Sequence, residues 1–214
     1  MSKTEGIGKS VEHASRIRPY MRKPLDPLFR PLQIYSTDPA DSKLDGSIAK
    51  VNVPFEPLEP GPVGCLFEVI GTEESTLVSY PPLDLESPKV LVAGGIAPSP
   101  VDSRFLMQMT YAVAMSTYEA FRIALGRDLN WGFDTPEGQP ARLKIYPFFA
   151  EQQNAYYDRE AGAVKFGWYT SKGQVERKYL DGSIRSVSLR EGTVFTALSH
   201  DIVVHEISHA LLVG

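Results

Sequence analysis

The chain has 214 residues, 43% of them hydrophobic and 22% charged, with four His and one Cys, which is enough for one sizeable core or a core plus a small appendage. Its net charge of −4 argues against a nucleic-acid partner, which needs a basic footprint to neutralise phosphates, and no apolar run approaches the length of a membrane span. Cys65 has no second cysteine to pair with, and the first thirty residues hold no apolar core of the secretory-signal type, so the expected compartment is the cytoplasm, with other export routes left open.

In chain order, residues 1 to 30 carry seven Lys or Arg against three Asp or Glu, together with Pro19, Pro24 and Pro27, and read as a flexible leader. From about 31 to 100 the pattern changes to short extended runs broken by Pro and Gly: Leu32 to Tyr35, Ile48 to Val53, Val63 to Ile70, Thr76 to Tyr80 and Val90 to Ala93, with breaks at Asp45-Gly46, Pro60-Gly61-Pro62, Pro81-Pro82 and Gly94-Gly95. This β-rich section has no ligand-spaced His, Cys or acids, so its expected role is structural. Residues 102 to 125 predict one long helix, with Asp102 or Ser103 as cap and Gly126 as the C′ residue. Its apolar stripes adjoin, so it should be covered on most sides, with its methionines filling gaps in a core. A polar loop through Trp131 and residues 134–138 precedes strands at Arg142 to Phe149 and Ala163 to Tyr169, with Asn154-Ala155-Tyr156-Tyr157-Asp158 between them. A hairpin is expected near Lys172 to Arg190, and Thr193 to Ala197 then leads into the final helix.

That helix reads SHDIVVHEISHALLVG from Ser199 to Gly214. Residues four apart share a helix face, so His205 and His209 can offer two imidazoles to one ion, with Glu206 beside them as a general base. The bland alternative is a solvated pair of histidines on a surface helix. Against it stands the apolar frame of Ile202, Val203, Val204, Ile207, Ala210, Leu211 and Leu212, in which three polar side chains would be costly to bury without a purpose. Ser199 or Asp201 can cap the helix. A hydrolytic zinc site needs three protein ligands and an open position. His13 lies in the leader and His200 is turned away from the ligand face, so neither is the expected third. A Glu from a later helix, beyond Gly214, is expected instead, and the chain reads as a fragment.

With these pieces in order the sequence resembles the thermolysin-like gluzincin metallopeptidases, from about Asp102 to Leu212. The match rests on the long helix, Asn154-Ala155-Tyr156-Tyr157, Val164-Lys165-Phe166-Gly167, and Asp201 through Ala210. It is also similar to a group of uncharacterised bacterial proteins that carry the same final helix. The resemblance implies an α+β fold. Its zincin-like N-terminal lobe, residues 101 to 214, has a mixed sheet, the long backing helix and the active-site helix, and follows the β-rich section. It implies zinc on His205 and His209 and catalysis by Glu206. It further implies a peptide or protein substrate paired as an antiparallel strand beside Asn154 and Ala155. At Asp201 it implies structural calcium, and the rival reading there is an acid favoured by the helix dipole. The missing C-terminal lobe would supply the third ligand, so the chain as it stands is expected to be inactive, with Val203, Ile207, Leu211 and Leu212 left uncovered. Two other classes stay open: a non-catalytic binding or scaffold domain, and a zinc hydrolase of non-peptide substrates.

Overall fold

A computed structural model of the chain describes residues 19–41, 47–133, 135, 141–178, 182–188 and 191–213. Residues 1–18 of the expected leader, His13, the Asp45-Gly46 turn and most of the 134–138 loop lie outside the described residues, as do Asp181 and Gly214. The architecture is mixed α+β. In order, the elements are β1 (Phe29–Tyr35), β2 (Ile48–Pro54), β3 (Phe67–Val69), β4 (Thr72–Glu73), β5 (Val78–Ser79), α1 (Pro88–Ala93), α2 (Ser103–Leu125), β6 (Leu143–Tyr146), β7 (Ala155–Asp158), β8 (Ala163–Phe166), β9 (Trp168–Ser171), β10 (Gln174–Lys178), β11 (Ile184–Ser188), β12 (Gly192–Phe195), a 3₁₀ turn (Thr196–Leu198) and α3 (His200–Leu212).

The organising sheet has the order β3-β6-β8-β7. β3 and β8 each run parallel to β6, while β7 pairs antiparallel with β8 and forms one edge. Two-stranded antiparallel sheets join β1 with β2, β4 with β5, β9 with β12, and β10 with β11, the last being the hairpin expected between Lys172 and Arg190.

Helix α2 is the backbone of the core. Every residue from Phe105 to Met115 is buried, the methionines included, because β1, β2 and β3 cover one side and α3 another. Its ends follow the sequence signals: Asp102 accepts from the Arg104 amide at 2.9 Å, and Gly126 closes the helix in the left-handed conformation, φ 64°. Gln108, buried inside this helix, is fully bonded. It donates to the carbonyls of Gln33 and Ile96 at 2.9 and 3.0 Å and accepts from the Ile96 amide at 2.8 Å, which ties β1 and the loop after α1 to the helix.

Several sequence expectations change. Val90 to Ala93 is not a strand but part of α1, since Pro88 presets the first turn and Gly94, φ 70°, caps the end; two β-branched residues misdirected the local reading. Ala163 to Tyr169 is not one strand but β8 and β9, which belong to different sheets. The break falls at Gly167, where a Cβ would collide with the backbone oxygens of Gln152 and Asn154. The leader does not reach residue 30. Arg30 is buried in β1 and donates to the carbonyls of Leu85 and Glu56 and to the Glu86 carboxylate. One hydrophobic cluster runs from Leu32 to Leu211, so the section from 31 to 100 shares its core with the rest of the chain.

Candidate metal and peptide-binding site

The local pattern of α3 decides what each of its side chains can do. Val203, Ile207, Ala210 and Leu211 are buried, at spacings of three and four, and form the stripe that joins the core on α2, while Glu206, also buried, turns to the side of β7. His205 and His209 lie on the opposite, exposed face. Only Glu206 among the three motif residues is therefore buried, at 8% exposure, and the expectation that all three are enclosed is corrected. The supposedly uncovered face is corrected as well: Val203, Ile207 and Leu211 are covered by the core, and Leu212 alone is exposed.

The two imidazoles converge. Their Nε2 atoms are 3.0 Å apart and the rings stand nearly perpendicular, 88°, with centroids 4.6 Å apart. Two nitrogens bound to one tetrahedral zinc at about 2.0–2.1 Å would be about 3.3 Å apart, so the pair needs a shift of only tenths of an ångström to share an ion. Exposure leaves the rest of such an ion's surroundings open to water and to substrate. Among the described residues, no group of three or more His, Cys, Asp or Glu is placed to hold a metal.

Burial pushes the Glu206 carboxyl above the usual carboxylate range, while His205, His209 and the backbone N–H of Tyr157 pull it back down. The Tyr157 amide is there because β7 crosses beside α3. The facing of β7 follows from one bond. Gly167 N–H donates to the Asn154 carbonyl at 2.9 Å, so Asn154 and Gly167 are a hydrogen-bonded pair. Pairs then alternate along the ladder Ala155↔Phe166, Tyr156↔Lys165, Tyr157↔Val164. Tyr156 faces β8, whereas Ala155 and Tyr157 turn their amides and carbonyls to the open edge, towards α3. Asp158 and Lys165, 3.0 Å apart, pin the far end of the strand, and the Lys165 ammonium sits 4.6 Å over the Phe149 ring.

A cavity of about 620 Å³ lies against this edge, lined among others by Asn154, Ala155, Ser199, Asp201 and Glu206. Of these, the sequence singled out Glu206 as catalytic, Asn154 and Ala155 as substrate-binding through the resemblance, Asp201 as a calcium or cap position, and Ser199 only as a cap. It missed the opposite wall, Ser36 to Asp38 and Asp41, which follows β1 and carries no local motif. Asp201 does not cap the helix: Ser199 holds the N-cap position, without a side-chain bond. The Asp201 side chain is 98% exposed, with the His200 ring nitrogen 3.3 Å away. Its place in the first turn of α3 fits the dipole reading, and among the described residues it belongs to no group of three or more His, Cys, Asp or Glu. Among those residues no helix is long and apolar enough to cross a membrane. Comparison with known proteins gave no matching family model, no similar curated protein and no similar solved structure.

Proposed function

We propose that the chain carries the zinc-binding and substrate-binding part of a thermolysin-like metallopeptidase, with a zincin-like arrangement of β7, α2 and α3. The observation that carries the reading is the convergence of His205 and His209, Nε2 to Nε2 at 3.0 Å, on the open face of a helix whose next side chain, Glu206, is buried beside an unpaired strand edge. Two imidazoles that meet with no acid between them form a fitting pair for a zinc ion. In this reading a third ligand, a carboxylate, joins from outside the described residues. When bound, zinc supplies Lewis acidity that polarises a carbonyl and acidifies a neighbouring water.

The chain's own residues do the rest. The outward amide and carbonyl of Ala155 hold an extended peptide as an added antiparallel strand, which limits it to one register over the helix. Glu206 takes a proton at its carboxylate and returns it to the leaving amine. A carboxyl raised by burial is better matched to that exchange near neutral pH than an exposed one. The strand edge favours a peptide over other hydrolysable substrates, because its donors and acceptors match a backbone. In a longer protein that also supplies the third ligand, Glu206→Gln should keep zinc and lose hydrolysis of a blocked peptide by about 10²–10⁴-fold, the usual share of a general base. Loss of zinc together with activity would make Glu206 a ligand and refute the assignment.

A further inference from the structure

Helix α3 is tied to β7 on either side of Ala155. On one side the backbone N–H of Tyr157 donates to the Glu206 carboxylate. On the other side the tie is indirect. The 3₁₀ turn Thr196–Leu198 leads straight into α3, with Ala197 and Leu198 buried in the core. Its first residue, Thr196, donates twice to one acceptor, the carbonyl of Gly167: the backbone N–H at 3.1 Å and the side-chain hydroxyl at 2.9 Å. The N–H of the same glycine donates to the Asn154 carbonyl at 2.9 Å. Thr196, Gly167 and Asn154 thus form one chain of hydrogen bonds from the entrance of α3 to the residue that precedes β7.

The two donors from Thr196 fill both lone pairs of the Gly167 carbonyl. Thr196 is 8% exposed, so its hydroxyl bond is shielded from water. The carbonyl would stay satisfied by the Thr196 N–H alone. What the hydroxyl adds is a second constraint on where the Gly167 and Asn154 pair sits relative to α3. That constraint lies beside the peptide edge, because Thr196 lines the same cavity as Asn154 and Ala155.

Resting on the peptide-binding reading above, we propose that Thr196 is a positioning residue: through Gly167 and Asn154, its hydroxyl fixes the height of the Ala155 edge over α3. It thereby sets the distance between the backbone of a bound peptide and Glu206. Thr196 acts through the strand, not by touching the metal or the reacting bond. With Asn154 held from Thr196 and Tyr157 held from Glu206, the outward amide and carbonyl of Ala155 are ordered before a peptide arrives. Such preorganisation lowers the ordering cost of adding a strand.

The test compares Thr196→Val, which removes the hydroxyl, with Thr196→Ser, which keeps it, and with Thr117→Val as a control. Thr117 of α2, 6% exposed, makes an equivalent buried bond to the Val113 carbonyl at 2.8 Å, one that stays within its own helix. The metal-free chain is titrated with acetyl-Ala-Thr-Val-Ala-amide and read by chemical-shift changes. Thr196→Val should raise Kd about 2- to 13-fold, the worth of one hydrogen bond, whereas Thr196→Ser and Thr117→Val should bind as the parent does. Thr196→Val should also speed hydrogen exchange at the Tyr157 amide, and Thr117→Val should not. Zinc affinity should stay as in the parent, because both histidines lie on the exposed face of α3. An unchanged Kd in Thr196→Val would overturn the positioning role and leave the peptide edge standing. Equal losses in Thr196→Val and Thr117→Val, or loss of peptide and zinc affinity together, would make the effect one of general stability and overturn it as well. If the parent binds no peptide, the peptidase reading fails, and exchange at Tyr157 decides the positioning role by itself: faster exchange in Thr196→Val alone supports it, and equal rates in the two valine variants overturn it.

Discussion

Replacing Ala155 by Pro should separate binding from folding, because the amide it removes is not used by the fold. The Asn154-to-Gly167 bond sets the alternation in β7, so the Ala155 N–H faces the open edge, and proline is tolerated on an edge strand where the lost donor faces outward. The neighbouring Tyr156→Pro removes an amide that faces Lys165 of β8 and leaves a strand carbonyl unsatisfied, at about 1–3 kcal/mol. For a chain of 214 residues that corresponds to a melting temperature lower by about 2–12 °C, against under about 2 °C for Ala155→Pro. In hydrolysis or peptide binding the order reverses in meaning. Ala155→Pro loses one backbone hydrogen bond to the added strand, about 0.5–1.5 kcal/mol, hence KM raised about 2- to 13-fold. The assay is a pair of melting curves beside a KM or Kd for one blocked peptide. Equal destabilisation by the two variants would show that the facing of β7 is misassigned, and an Ala155→Pro protein that binds peptide normally would remove the edge from the substrate site.

Two further outcomes follow from the charges. The Ala161 amide and the Lys165 ammonium hold the Asp158 carboxyl below its ordinary value of 3.8, so its contribution is present above that value and is lost as the pH falls through the lowered native one. Asp158→Asn should therefore melt about 1–4 °C lower than the parent at pH 7, with the difference closing below pH 3.8 in a pH series. Burial and the Glu56 carboxylate beside it push the Cys65 thiol up to about 11. At pH 8 only about a thousandth of it is thiolate, and a disulfide reagent should label the folded chain far more slowly than the unfolded one.

What the sequence made legible was whatever rests on local chemistry. The cap at Asp102 and the glycine at 126 bound α2, and the four-residue spacing of His205 and His209 put both rings on one face of α3. The sheet edge at Asn154 and Ala155 was implied by the resemblance and not by local chemistry, and β7, which starts at Ala155, is an edge strand. What escaped depends on contacts between distant residues. Gly167 splits an apparently continuous strand because two backbone oxygens come too near for any Cβ, and no local pattern announces that. The apolar frame of α3 suggested burial of all three polar residues, yet the core reaches only one side of the helix, so the histidines stay in solvent. The acidic wall from Ser36 to Asp41 meets the Asn154 edge only through the fold. Val90 to Ala93 was misread for a different reason: the flanking Pro88 and Gly94 were the better signal than the β-branched residues between them.

The most direct test of the central claim is the metal's own surroundings. X-ray absorption of the chain loaded with zinc, repeated with His205→Ala and His209→Ala, should show two imidazole nitrogens at about 2.0–2.1 Å in the parent and one in each variant, with affinity reduced in both. Because both rings are exposed, neither substitution should disturb the fold, and a melting curve checks that. A zinc shell without imidazole scattering, or affinity unchanged when either histidine is removed, would contradict the account.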